Sequence, residues 1–238
     1  MARTNNVYQF ANFPSGPDWY VIFHDFDNEN DIDAYTVTAI SSGSGAVTTD
    51  EKFGVYRISA AATTEDSGAQ LQGDMETVSL NTGKVVEFIC RVKPAVADQS
   101  TFFAGIAITD TSVLHATDGS LANALTITDG IGFVKPDGES NLYGVIRRDS
   151  VQAATGAIAT VTASSYSTLA FRVTMDDSTA GKGRVDFYVD GVYAGRLDST
   201  TMPYDSEEIL TDTVAYQSGD ASGTDTFDID YIGVRQER

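Results

Sequence analysis

The dipeptide Asp190-Gly191, set inside RVDFYVDGVYAGRL (Arg184–Leu197), constrains the fold more than any other stretch of the chain. Val185, Phe187 and Val189 alternate with Arg184, Asp186, Tyr188 and Asp190, the period of a strand buried on one side. Asp-Gly favours a two-residue type I′ hairpin, because both central residues of that turn need positive φ. The expected register sets Val189 opposite Val192, Tyr188 opposite Tyr193 and Phe187 opposite Ala194. One face of such a hairpin is apolar, and the Tyr–Tyr pair points the other way.

The rest of the chain repeats this short-strand pattern. YVIFHDF, YTVTAI, FGVYRISA, VVEFICRVK, TFFAGIAI, IGFVK, LYGVIRR, STLAFRVTMD, EILTDTVAYQ and FDIDYIGVRQ read as strands separated by Gly-, Ser- and Asp-rich turns. Pro94 ends VVEFICRVK, since proline cannot donate to a central ladder. No window shows sustained helical periodicity; a short helix is expected only around Asp118–Ala124. Such spacing belongs to a sandwich or barrel. No linker divides the sequence, so residues 20–238 are expected to form one β domain behind an N-terminal arm, residues 1–19. Val7, Tyr8, Phe10, Phe13 and Trp19 are too many large apolar groups for a solvated tail. The arm either packs on its own domain or docks on a partner, and these five residues are the candidate partner-binding set.

At 238 residues, folding hides roughly 70% of the accessible surface, so no metal or disulfide is needed to support a core. The single cysteine, Cys90, lies in phase with Val86, Phe88 and Val92 and reads as a small buried hydrophobe. A net charge of −19 repels phosphate backbones, which argues against nucleic acid and anionic membranes as partners. The first residues lack a signal-peptide pattern, and no apolar run reaches the ~20 residues of a membrane span, so a cytoplasmic site of synthesis is expected.

Little in the sequence is arranged for catalysis. HDFDNENDID begins like a calcium loop, but its sixth position is Asn30 where glycine is wanted and its twelfth is Thr36 where a bidentate Glu is needed. It reads as a solvated loop, with a Ca²⁺ site as the alternative and no other cofactor expected. His24 and His115 stand in no metal-ligand spacing, and no nucleophile elbow is present. Asp228 and Asp230 in FDIDYIG resemble the alternate carboxylates of a glycosidase strand, but only two are present, and they read as a solvent-facing edge pair. Tyr188, Tyr193, Tyr143 and Tyr166 suit either stacking on sugar rings or cross-strand packing.

RVDFYVDGVYAGRL followed by TFDIDYIGVRQ resembles the closing strands of concanavalin A-like (laminin-G-like) jelly rolls. GKVVEFICRVKPAVADQSTFFAGIAITDTSVL and DGIGFVKPDGESNLYGVIRRDS are similar to jelly-roll structural proteins of tailed bacteriophages. The resemblance spans roughly residues 20–235. It implies an all-β, antiparallel two-sheet jelly-roll sandwich and a non-enzymatic virion component. That component would be a capsid decoration or head-fibre protein on the particle surface, made in the host bacterial cytoplasm. The implied partners are the major capsid protein or another virion protein, and further copies of the chain in a homo-oligomer, a trimer being favoured. The E-x-D-x-x-E strand of glycosidases sharing this fold is absent. The alternative is a carbohydrate-binding module of a phage appendage, with a cell-surface glycan as partner.

Overall fold

The computed structural model describes residues 18–27, 29–48, 54–61, 63–115, 119–204, 209–221 and 225–238. Sixteen strands form two antiparallel sheets of eight, a jelly-roll sandwich. The first sheet runs β14 (Val192–Ser199), β13 (Gly183–Val189), β12 (Ser167–Met175), β6 (Val85–Pro94), β16 (Thr226–Glu237), β4 (Val55–Ser59) and β3 (Ser44–Thr48). β1 (Trp19–His24) joins it along the C-terminal half of β16. The second sheet runs β10 (Val151–Ala154), β9 (Asn141–Arg148), β8 (Gly130–Lys135), β7 (Ser100–Ala107), β15 (Thr211–Ser218), β5 (Gly68–Gly73) and β2 (Tyr35–Ile40). The two-residue strand β11 (Ala159–Thr160) pairs with β9.

The Asp190-Gly191 turn forms as expected, with φ of 49° and 75° at its two central residues. Its backbone is tied sideways to β12: Thr168 N–H donates to the Asp190 carboxylate at 2.8 Å, and Asp190 N–H donates to Thr168 O at 2.8 Å. Val189 opposes Val192 and Tyr188 opposes Tyr193, but Phe187 meets Gly195, not Ala194. Ala194 is the extra residue of a β-bulge. Gly195 fits there because a Cβ would come within 2.8 Å of the Ile158 side chain.

Phenylalanines from both sheets fill the space between them. Phe88 stacks on Phe171 at 5.1 Å, and Phe133 of the second sheet meets Phe187 edge-on at 5.3 Å. Gly144 in β9 makes room for that pair, since a Cβ there would come within 2.6 Å of the Phe187 ring. Such rings bury large apolar areas and gain further from offset and edge geometry. Cys90 is buried in this core, and burial pushes its thiol up, away from the reactive thiolate.

Two local expectations change. Residues 119–124 form turns, not a helix: Asn123 N–H closes a turn onto Ser120 O, and Ala124 O accepts from His115 N–H where segment 113–115 pairs with 124–126. Glu29–Ala34, read as loop, is a short 3-10 helix with Ile32 packed against the core.

The closing strand β16 is interior, lying between β6 and β4 at one end and β6 and β1 at the other. Asp228 and Asp230 are therefore not an exposed edge pair.

Candidate functional site

The outer faces of the two sheets differ in kind. On the second sheet, Phe103, Ala107, Val134, Val145 and Ala215 point away from the main core. They are covered by Val113, Leu114, Ala124, Leu125 and Ile127 of the segment between β7 and β8, which makes a second small core. Two glutamines of β5 pin that segment. Gln72 accepts from Asp110 N–H at 3.1 Å and donates to Ile108 O at 3.1 Å. Gln70 accepts from Val113 N–H at 2.9 Å and donates to Asp110 O. Amide side chains can saturate both donors and acceptors without burying charge, which is why this face can be closed.

The outer face of the first sheet stays open. One register row crosses it as Tyr193, Tyr188, Ala170, Ile89, Gly233 and Phe23, taken from six different strands. Five interstrand steps make this row about 24 Å long. Tyr193 is 54% exposed and Phe23 47% exposed. Tyr188 meets Tyr193 edge-on at 5.9 Å, and Phe23 meets Tyr231 at 5.6 Å. Between these pairs Ala170 and Ile89 form a low floor, flanked by Tyr188 and Tyr231. Burial raises the pKa of both tyrosines, so their hydroxyls stay neutral and can donate or accept.

The adjacent row alternates in sign: Arg196, Asp186, Arg172, Glu87, Arg235. Asp186 holds Arg196 at 2.7 Å and Arg184 at 3.5 Å, and Glu87 holds Arg235 and, at 3.7 Å, Arg172. On the other side of the aromatic row, Asp230 meets Arg91 at 2.5 Å. Asp228, only 1% exposed, is clamped by Arg57 at 2.6 Å and Lys93 at 2.9 Å. Burial alone would raise the Asp228 pKa, but the hydrogen bonds and charges of Arg57 and Lys93 outweigh it and hold the carboxyl below its usual range. These two acids are thus structural anchors, each held by a basic side chain of a neighbouring strand. Tyr166 completes this side, with Arg91 and Lys93 over its ring at 4.2 and 4.7 Å.

Among the described residues, seven basic and four acidic side chains enter this ionic network. Asp198 and Glu237 share the face by register. The face is therefore close to neutral on a chain whose net charge is −19. Composition hides this, because the charges come from separate strands and only the register collects them. The alternation Arg184, Asp186, Tyr188 and the run Glu87, Ile89, Arg91, Lys93 are the signals in the sequence from which it could have been read.

The five candidate partner-binding residues divide. Trp19 opens β1, paired with Glu237, and its ring faces the Arg235 guanidinium at 4.5 Å, so it borders the open face. Val7, Tyr8, Phe10 and Phe13 lie outside the described residues. His24 packs edge-on against Tyr35 at 5.1 Å, far along the chain from His115, which lies in the segment covering the second sheet. Tyr143 donates to Glu139 at 2.9 Å on the second sheet and is separate from the other three tyrosines. Among the described residues, no three His, Cys, Asp or Glu side chains converge in a metal-binding group. The side chains of Glu29, Asn30 and Asp31 in the calcium-like run lie outside the described set.

No family model and no curated protein matches the sequence. The fold is similar to that of several solved structures. A Shewanella oneidensis protein of unknown function aligns over 100% of this chain and 95% of its own, with a TM-score of 0.60 and 16% identity. The endo-1,3-β-glucanase of Streptomyces sioyaensis aligns over 94% of this chain and 99% of its own, with a TM-score of 0.60 and 13% identity. The CBM2 module of the evolved Dit protein of Lactobacillus casei BL23 phage J-1 aligns over 92% and 96%, with a TM-score of 0.56 and 9% identity. The shared architecture is the two-sheet jelly-roll sandwich. At such identities the likeness is one of fold, shared by a glycan-acting enzyme and a binding module alike.

Proposed function

We propose that this chain is a non-catalytic recognition module that holds a glycan along the aromatic row of its first sheet. The observation that carries this reading is the row itself. Tyr193, Tyr188, Tyr231 and Phe23 stand on an open, flat face, with a low floor between the two aromatic pairs. Sugar C–H faces pack on aromatic rings, and the flanking Arg and Asp side chains offer hydrogen-bonding groups for ring hydroxyls. The four carboxylates nearest the aromatic row, Glu87, Asp186, Asp228 and Asp230, are engaged in ion pairs with Arg and Lys, which does not favour a free acid–base couple of the glycosidase kind among them. A glycan array tests the proposal: binding that is lost in Tyr193→Ala and Phe23→Ala supports it, and an array with no reproducible signal removes it.

A second reading, capsid decoration on a phage particle, is favoured by the charge distribution. A near-neutral face on an acidic body is a place where another protein, or another copy, can approach without strong repulsion. Under this reading the major capsid protein or another virion protein is the partner, and Trp19 with the segment before it contributes to docking and to a homo-oligomer. Copurification with assembled particles in hundreds of copies supports decoration, and absence from purified particles removes it.

A further inference from the structure

Arg147 is a buried cation with no hydrogen bond from its Nε. It lies on β9, opposite Gly130 of β8 and Gln152 of β10, and points to the outer face of the second sheet. Only 9% of it is exposed, and its Nε is buried without an acceptor. Asp129 acts on it through space while accepting a hydrogen bond from Asp149 N–H at 3.1 Å. Its neighbour Arg148, by contrast, donates to Met202 O at 3.1 Å and meets Asp149 at 3.5 Å. Gln152 donates to Leu121 O at 2.9 Å, but its Oε1 is also buried and without a donor.

A cavity of about 410 Å³ opens at this point, lined by His115, Ala122, Asn123, Leu125, Thr126 and Arg147. That volume falls within the range of small-ligand sites, and the wall divides by chemistry. Ala122 and Leu125 present carbon, Asn123 and His115 are polar, and Thr126, whose hydroxyl donates to Ser112 O, keeps lone pairs that can accept. A guanidinium supplies a planar fork of donors suited to a carboxylate, and a buried one gains most from an anion that reaches it.

We propose that this cavity binds a small hydroxy-carboxylate, its carboxylate on Arg147 and its hydroxyls on the polar wall, a chemistry shared by uronic-acid sugars and free hydroxy acids. The site is on the opposite sheet from the aromatic row and does not rest on the glycan reading. Isothermal titration of the full chain with glucuronate, glycerate, glucose and inorganic phosphate tests it. The expected result is saturable binding of glucuronate and none of glucose, weakened about tenfold in Arg147→Lys, which keeps the charge but loses the fork, and abolished in Arg147→Met. Glycerate binding without glucuronate binding also supports the carboxylate site and assigns it to free acids. No heat with either acid at millimolar concentration, equal binding of glucose, or a preference for phosphate overturns it. Circular dichroism checks that the variants fold. Should Arg147→Met unfold, Asn123→Ala and Thr126→Val at the opposite wall must weaken glucuronate binding, and unchanged binding in both overturns the proposal.

Discussion

The first sheet leaves its outer face to water, whereas the second buries its own beneath residues 108–115 and 119–129. The polar residues follow from that difference. The open face uses full charges, Arg against Asp and Glu, because half-solvated ions need only part of their hydration replaced. The closed face uses Gln70 and Gln72, whose amides replace water's hydrogen bonds without the desolvation cost of an ion. Where the cover meets β5, neutral amides replace the ion pairs of the open face, although Arg147 is a charge that the cover encloses farther along the same sheet.

Substitutions can break this contrast. The largest effect is expected at Phe103, which is fully buried between the second sheet and its cover: Phe103→Ala should cost about 3–5 kcal/mol in denaturant unfolding. Next is Asp228, which at 1% exposed is more deeply buried than Asp186 on the same face. Asp228→Asn should cost about 1.5–3 kcal/mol at neutral pH, through weakened charge-assisted bonds from Arg57 and Lys93. Because its folded pKa is depressed, that stabilisation is complete above the unfolded value of about 3.9 and is lost as pH falls through the folded one. The gap between wild type and Asp228→Asn should therefore close below about pH 4, and a gap constant with pH contradicts the assigned ion pair.

Gln70→Ala sharpens the comparison. It removes the acceptor of Val113 N–H and the donor to Asp110 O, so about 1–3 kcal/mol should be lost. Amide exchange should quicken at Val113 and Thr126, which pair within the cover, while β6 and β16 keep their protection. Smallest of all, Tyr193→Ala on the open face should move stability by no more than about 0.5 kcal/mol. Its effect belongs to binding alone, and a large loss of stability would reassign Tyr193 to packing.

How far these faces could be read from sequence depends on the distance between partners along the chain. The Asp190-Gly191 hairpin was legible because its turn chemistry is local, and only the Ala194 bulge, imposed by Ile158 from a distant segment, escaped. Asp228 was misread because Arg57, its clamp, lies 171 residues away, and because the last strand of a chain gives no sign of sitting inside its sheet. The cover over the second sheet was equally hidden. Val113, Leu114, Leu125 and Ile127 follow neither the period of a strand nor that of a helix, so nothing marked them as core. Arg147 gives no sign of its burial in LYGVIRR, because the residues that enclose it lie in the segment that folds over the second sheet.

The interior place of β16 also has a consequence for biosynthesis. Until residues 226–237 leave the ribosome, β6 and β4 have no neighbour to join them, and β1 has none at all in the first sheet. The nascent chain must hold these unzipped edges apart during most of its translation, and a product terminated before Thr226 would present them to other chains as sticky templates.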